Sequence, residues 1–266
     1  MRIGATLSPA LMSLLTRDLI DVDYIEVNGE MEIAELQTAL AQRPVLLHDI
    51  SYRFWLNYED PFDAATMDKA RAMIGLAQPP WHSTGIGASA EPQQHTTDYW
   101  RGAAAEALQP RARCLANIVR NAGKLKAWLG IPLLLENYNY HPTNAYEYVC
   151  DPATFSQLIE EIDCGMLLDL AHAQISSFNM GWPDVHTYLG ELPLARVREI
   201  HINHPFNDGG RQMLDRHLPI GEDDVALLEW TLARTPLVEA VTLESHLPDE
   251  AALRYEVGLL RELVAS

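Results

Sequence analysis

Six residues able to bind metal or move protons stand where short apolar runs end: His48 after PVLL, His82 after PPW, Glu136 after IPLLL, Asp169 after CGMLL, His201 after VREI and Glu244 after AVTL. Three more lie close to these ends. His172 follows Asp169 by three positions in LLDLAH, and Asp215 and His217 form an Asp-x-His step in QMLDRHL. The set holds five imidazoles and four carboxylates. Gathered in one place, the carboxylates would raise one another's pKa and the imidazoles would resist protonation, so positive charge must be supplied. Divalent metal supplies it. Nitrogen and oxygen donors together suit iron, zinc or manganese, and no cysteine shares the pattern, which disfavours a thiolate zinc site or an iron–sulfur cluster. Nine donors exceed what one ion uses, so two or three ions are expected, with Glu136 placed to bridge neighbours about 3.5–4 Å apart. A single histidine at a strand end is more often a hydrogen-bonded structural residue. Six such coincidences on one rim make a poor accident.

A fold must bring these ends together. Apolar runs predict strands at 2–6, 23–28, 44–48, 79–82, 131–136, 164–169, 197–202 and 240–244, and three- and four-residue spacing predicts helices near 8–19, 31–42, 61–77, 103–129, 152–162, 183–190, 222–234 and 249–264. Strands apolar on both faces, each followed by a helix that crosses back, predict parallel pairing. Eight such units close into a (β/α)8 TIM barrel, and one domain over residues 1–266 matches the usual barrel length of about 250 residues. An open, doubly wound sheet is the competing arrangement. In the barrel every strand's carboxyl end opens on one face, where barrel enzymes place their chemistry.

Composition narrows the function. A formal charge of −18, from 19 Lys and Arg against 37 Asp and Glu, opposes nucleic-acid binding, which depends on basic side chains releasing phosphate counterions. No run of 18 apolar residues occurs, and MRIGATLSPA is not a charged leader followed by an apolar stretch, so a soluble, cytoplasmic protein away from membranes is expected. Cys114, Cys150 and Cys164 form no Cys-x-x-Cys pair, which fits a reducing compartment. The three lysines, Lys69, Lys124 and Lys126, all fall in predicted helices, so no Schiff-base amine stands at a strand end. ESHLPDE after the last strand is acidic and glycine-free, unlike the phosphate pocket many barrels carry there, and GIGAS at 85–89 lacks the lysine of a phosphate loop.

The order LLDLAH, His201, DRH and the Glu of TLES resembles the trinuclear site of the xylose-isomerase-like barrels, endonuclease IV among them. Over nearly the whole chain, DYIEVNGE, LLHDIS with DPFD, LLLENYNY, CGMLLDLAHAQISSFNMGW, EIHINH and TLES resemble the multinuclear non-haem iron oxidases, including those of methanobactin biosynthesis. That resemblance implies one metal on His48, His82 and Glu136, a second on Glu136, Asp169, His201 and Glu244, and a third on His172, Asp215 and His217. The chain departs from the pattern in places. Relatives often carry Asn at the position of His172 and Ser-Glu-His where this chain reads Pro-Trp-His82; His204 follows His201 by three residues rather than four, leaving either as the ligand.

The resemblance further implies a mixed-valent iron pair that uses dioxygen to oxidise a cysteine in a ribosomally made peptide, with a small partner protein presenting that peptide. Glu136, Asp169 and His172 are the candidate catalytic residues. Glu26, Asn28 and Asn137 are candidates for orienting substrate, with structural bonding equally open to Glu26 and Asn28 and bracing of a loop the favoured role of Asn137. Tyr138, Tyr140, Phe178 and Trp182 are candidates for the pocket wall, and the polar stretch 84–102 for a lid or docking element. His95, His141, His186 and His246 are given no role. The alternative is a divalent-metal hydrolase or sugar isomerase of the same superfamily, the same donors holding zinc or manganese to polarise an oxygen; a non-enzymatic metal-binding protein is a third class.

Overall fold

Strand alternation sorts the buried side chains into two sets. Tyr24, Leu46, Trp81, Leu134, Leu167 and Ala240 form a small cluster, while their chain neighbours Ile25, Val45, Leu47, Leu133, Leu168 and Val241 belong to a much larger one. Successive side chains of a strand point to opposite faces, so the small cluster is the inside of a barrel and the large one the layer between strands and helices. The computed structural model describes residues 1–28, 31–50, 55–90, 108–142, 146–245 and 249–265.

Eight parallel strands close in the order β1-β10-β7-β6-β5-β4-β3-β2. They are β1 (Arg2–Thr6), β2 (Tyr24–Asn28), β3 (Val45–His48), β4 (His82–Gly85), β5 (Leu133–Glu136), β6 (Gly165–Asp169), β7 (Val197–Ile202) and β10 (Ala240–Leu243). Around them run α1 (Pro9–Thr16), α2 (Ile33–Leu40), α3 (Ala64–Ala77), α4 (Arg111–Leu129), α5 (Pro152–Ile162), α6 (Leu170–Met180), α7 (Val185–Gly190), α8 (Glu222–Leu232) and α9 (Glu250–Ala265). β8 (His204–Asn207) and β9 (Met213–Leu218) form an antiparallel hairpin after β7. No helix among the described residues is long and apolar enough to cross a membrane.

The expected (β/α)8 barrel is therefore the observed fold. Three local features differ from the sequence reading. The fourth strand begins at His82 instead of ending there, because Pro79 and Pro80 have no N–H to give a central ladder; pairing starts with the His82 N–H on the Pro132 carbonyl at 3.0 Å. A helix, α6, directly follows β6. Asp169 caps it by accepting from the His172 backbone N–H at 2.7 Å, so the Asp-x-x-His step is an N-cap and its third helical residue. The hairpin was missed although Asn207, Asp208, Gly209 and Gly210 carry its turn, with both glycines at positive φ. The start expected at 103 for the fourth helix lies outside the described residues; α4 begins at Arg111.

The barrel's amino-terminal end is plugged. Trp81 lies between the guanidiniums of Arg2 and Arg198, each 5.3 Å from its ring, and donates from its indole nitrogen to Glu199 at 2.7 Å. Opposite it, the Tyr24 ring fills the space a side chain at Gly4 would need: a Cβ there would meet Tyr24 Cε2 at 2.2 Å. Gly4→Ala is accordingly expected to destabilise the fold by about 1–3 kcal/mol, through overpacking in a closed layer, in a denaturant titration. An unchanged midpoint would show that the Tyr24 ring is not fixed there.

Candidate metal centre

At the opposite end the inward positions turn polar. His48 ends β3, Glu136 ends β5, Asp169 ends β6, His201 stands near the end of β7 and Glu244 follows β10; all are buried. The register brings them level, with Asp169 beside His201 and Thr242 beside His201 on the other side. Glu136 sits at the centre. One of its oxygens, Oε2, is 3.5 Å from His48 Nε2, while the other, Oε1, is 3.5 Å from His172 Nδ1 and 3.8 Å from His201 Nδ1. His201 Nδ1 also faces Glu244 Oε1 at 3.5 Å, and His172 Nδ1 lies 3.7 Å from Asp169 Oδ2. The hairpin supplies the outer part: Asp215 Oδ2 is 3.3 Å from His172 Nε2 and 3.2 Å from His217 Nε2, and His217 Nδ1 is 3.7 Å from Glu244 Oε2.

Hydrogen bonds behind the cluster fix which atom of each imidazole faces it. His201 Nε2 donates to Glu26 Oε2 at 2.8 Å, turning Nδ1 to the cluster. His172 Nδ1 donates to the Asn137 carbonyl at 2.9 Å, which turns Nε2 to Asp215, 3.3 Å away. His48 Nδ1 pairs with Ser83 Oγ at 3.0 Å, leaving Nε2 for Glu136. Partners of this kind orient metal-binding histidines. Among the described residues, Asp169 Oδ2 and His201 Nδ1 are buried without any hydrogen-bond partner. Such atoms are costly unless something completes them. His48, Glu136 and His201, then Glu136, Asp169 and His172, then Asp169, His201 and Glu244, each bring three donor atoms close enough to hold an ion.

The electrostatics agree. Burial raises Glu136 and Glu244 well above the carboxylate range, and neighbouring Asp169 pushes both further. Burial lowers His48 to about 4 and also lowers His201. His172 runs the other way: burial opposes its charge, but Asp169, Asp215 and Glu136 raise its pKa well above the usual value. Asp215, despite burial, is held low by the hydrogen bonds from His172 and His217. The metal-free site thus resists holding Glu136 and Glu244 as anions, and a cation would relieve that resistance.

Not every candidate joins the cluster. His82 opens β4 between inward-facing Trp81 and Ser83, so its ring faces the helix layer, with Nδ1 on the Leu47 carbonyl at 2.9 Å. Glu26 is buried beneath His201 and braces it instead of reaching a substrate. Asn137 spends both amide groups on the Asp169 backbone at 2.9 Å, which locks β5 to β6 at the rim. The Asn28 side chain, His95, His246 and residues 91–102 of the expected lid lie outside the described residues; Ala90 bridges to Leu108 across that segment's ends. His204 is half-exposed and pairs with Asp224 at 2.9 Å, away from the cluster. Of the wall candidates, Tyr138 packs against Gly85, Trp182 stacks edge-on with Tyr188, and Phe178 is exposed. Two residues went unnoticed. Glu199 precedes His201 by two on the same strand face and accepts from Trp81 and Thr242, a period-two signal that was there to be read. Asp49, next to His48, has its Oδ2 3.9 Å from His48 Nε2.

Comparison with known proteins fits this geometry. A UPF0276 protein of Anaeromyxobacter sp. (strain Fw109-5) is 26% identical over 203 residues, 74% of this chain and 68% of that protein. One of Bordetella parapertussis is 30% identical over 157 residues, 57% and 54% of the two chains, so the match spans between about half and two thirds of these relatives. A xylose isomerase-like TIM barrel protein from Mycobacterium smegmatis, in complex with magnesium, superposes with a TM-score of 0.65 at 13% identity, covering 99% of this chain and 97% of that one; this is a likeness of fold. The model of the RiPP precursor modification enzymes MbnB/TglH/ChrH matches residues 2–265, and the chain belongs to that family.

Proposed function

We propose that the protein is a multinuclear iron-dependent oxidase that uses dioxygen to modify a cysteine-containing, ribosomally made peptide. One observation carries the reading: a single buried carboxylate, Glu136, turns one oxygen to His48 Nε2 and the other to His201 Nδ1, so that it would be able to serve two ions at once. Family membership supports a peptide as substrate. His48 with Glu136, then Glu136 with Asp169, His201 and Glu244, then His172 with Asp215 and His217, are the donors for two or three ions. Iron held by such nitrogen and oxygen donors would supply electrons to dioxygen and a binding position for a thiolate.

The chain's own residues do the rest. Glu136, Asp169 and His172 hold the reacting centre, and Asn137 fixes the last two relative to each other by tying β5 to the head of α6. The burial of the inner donors keeps bulk water from them, while His217 on the hairpin is part-exposed and marks the side from which a peptide reaches the site. A small partner protein presenting the peptide belongs to this reading. Zinc or manganese would suit the same donors, which keeps a hydrolase or sugar isomerase as the second reading; the metal decides between them.

Protein purified without air is expected to carry two or three irons per chain and to consume dioxygen when given cysteine peptides, with Glu136→Ala lowering that consumption by about 100-fold or more. Zinc alone and no oxygen uptake would favour the second reading. The metal-free protein should also be most stable on a plateau between about pH 4.5 and 6.5, where the two effects below offset each other, and lose stability above it. Burial raises Glu26 and Glu199 to about 8, so their stabilising contribution is complete below the unfolded value of about 4.5 and is lost as pH rises toward 8. Burial lowers His48 and His82 to about 4, so theirs is present above the unfolded value of about 6.5 and is lost as pH falls toward 4. Thermal melts at several pH values, with and without Fe(II), check this: metal should flatten the alkaline decline, and a metal-free profile level from pH 5 to 9 would contradict it.

A further inference from the structure

The part of the cluster around His48 is short of donors. On β4 the inward position level with Glu136 is Gly85, and a Cβ there would lie 2.2 Å from the Tyr138 hydroxyl and 2.6 Å from its Cζ. The phenol occupies the room that a fourth-strand ligand would need. His82, the only imidazole of that strand, faces the helix layer. His48 Nε2 and Glu136 Oε2, 3.5 Å apart, then have His201 close by as a third donor, and its Nδ1 also faces Glu244 at 3.5 Å.

A further donor stands beside them. Asp49 Oδ2 is 3.9 Å from His48 Nε2. Two atoms that each bind one ion at about 2.0–2.2 Å lie no more than about 4.4 Å apart, so Asp49 and Glu136 each lie within reach of an ion held on His48 Nε2, and such an ion would draw the two carboxylates toward each other. The carboxylate is held in this direction. Its Oδ1 accepts from the Thr84 hydroxyl and from the Gly85 N–H at 3.2 Å, and the Asp49 N–H donates to the Ser83 carbonyl at 2.9 Å. The backbone is left-handed, with φ 42°, a conformation that aspartate takes more readily than most residues and that here turns its side chain back toward β4. After burial, the charge of Asp49 is the largest influence on His48.

We infer that Asp49 is a protein ligand of the metal held by His48 and Glu136, supplying from the residue after His48 the donor that β4 does not. Gly85, Thr84 and Ser83 then have a common purpose. Gly85 admits the Tyr138 ring and gives its N–H to Asp49, Thr84 fixes the same oxygen, and Ser83 sets the His48 ring and the Asp49 backbone together. The inference rests on the metal-cluster reading above and adds a ligand to it.

The test is metal content and affinity, measured by elemental analysis and chelator competition on Fe(II)-loaded wild type, Asp49→Asn and Asp49→Gly. Asparagine keeps an oxygen for Thr84 and Gly85 but loses the anionic donor, and glycine suits the left-handed backbone while removing the side chain. Both variants are expected to lose about one iron per chain, or to hold their weakest iron at least about ten-fold less tightly, while the remaining ions and the melting of the metal-free protein stay near wild type. Wild-type metal number and affinity in a folded Asp49→Asn or Asp49→Gly would overturn the role of Asp49 and leave the cluster standing. A wild type that takes up no metal at all would overturn the cluster and this ligand with it.

Discussion

A buried carboxylate that no lysine or arginine among the described residues neutralises is the constraint around which the molecule is arranged. Glu136 is only 3% exposed and meets three imidazoles within 4 Å, with Asp169 and Glu244 raising its pKa further. In water such a group is solvated, and in a protein interior it is tolerated when protonated or when a cation stands beside it. Among the described residues no arginine or lysine is paired with it. Of the three imidazoles around it, burial lowers His48 and His201, and only His172, whose pKa is raised by Asp169, Asp215 and Glu136, offers a positive charge, one that it shares among those carboxylates. The burden falls on an ion that the chain does not encode as a side chain.

The rest of the barrel holds that arrangement in place against its own repulsion. Glu26 and Glu199 lie below His201, and through Thr242 and Tyr24 they form a polar column down to Trp81 and the plug of Arg2 and Arg198. Each layer sets the one above: Trp81 fixes Glu199, Glu199 stands under Glu26 and His201, and His201 offers Nδ1 upward. A rigid scaffold beneath an adaptable mouth is the usual division of labour in barrel enzymes. Here the mouth includes the β8–β9 hairpin, whose Asp215 and His217 close over the strand ends.

Legibility in the sequence followed the strength of the apolar signal. PVLLH, IPLLLE, CGMLLD and AVTLE combine a buried strand with a polar terminus, so both the strand and its rim residue could be read together. HSTG carries no apolar signal, and the flanking prolines drew the fourth strand three residues too early, which put His82 at the rim in place of Gly85. Asp49 was hidden by its neighbour: in LLHDIS the histidine ends the strand, and nothing in the letters says that the next residue turns back on a left-handed backbone. Glu26 and Asn137 stand at the expected depth, and of the two roles open to each in the sequence the structure shows bonding to other strands. Whether a polar side chain at a strand end faces a substrate or a neighbouring strand depends on register, which follows from closure of the whole sheet.

The most direct measurement of the central claim is anomalous diffraction at the iron edge, from crystals of iron-replete protein grown without air. The account predicts peaks within bonding distance of His48 with Glu136, of Glu136 with Asp169, His201 and Glu244, and of His172 with Asp215 and His217, those sharing Glu136 about 3.5–4 Å apart. A map with no anomalous signal among these side chains, and Glu136 lying against its imidazoles as an ordinary hydrogen-bonded acid, would contradict it.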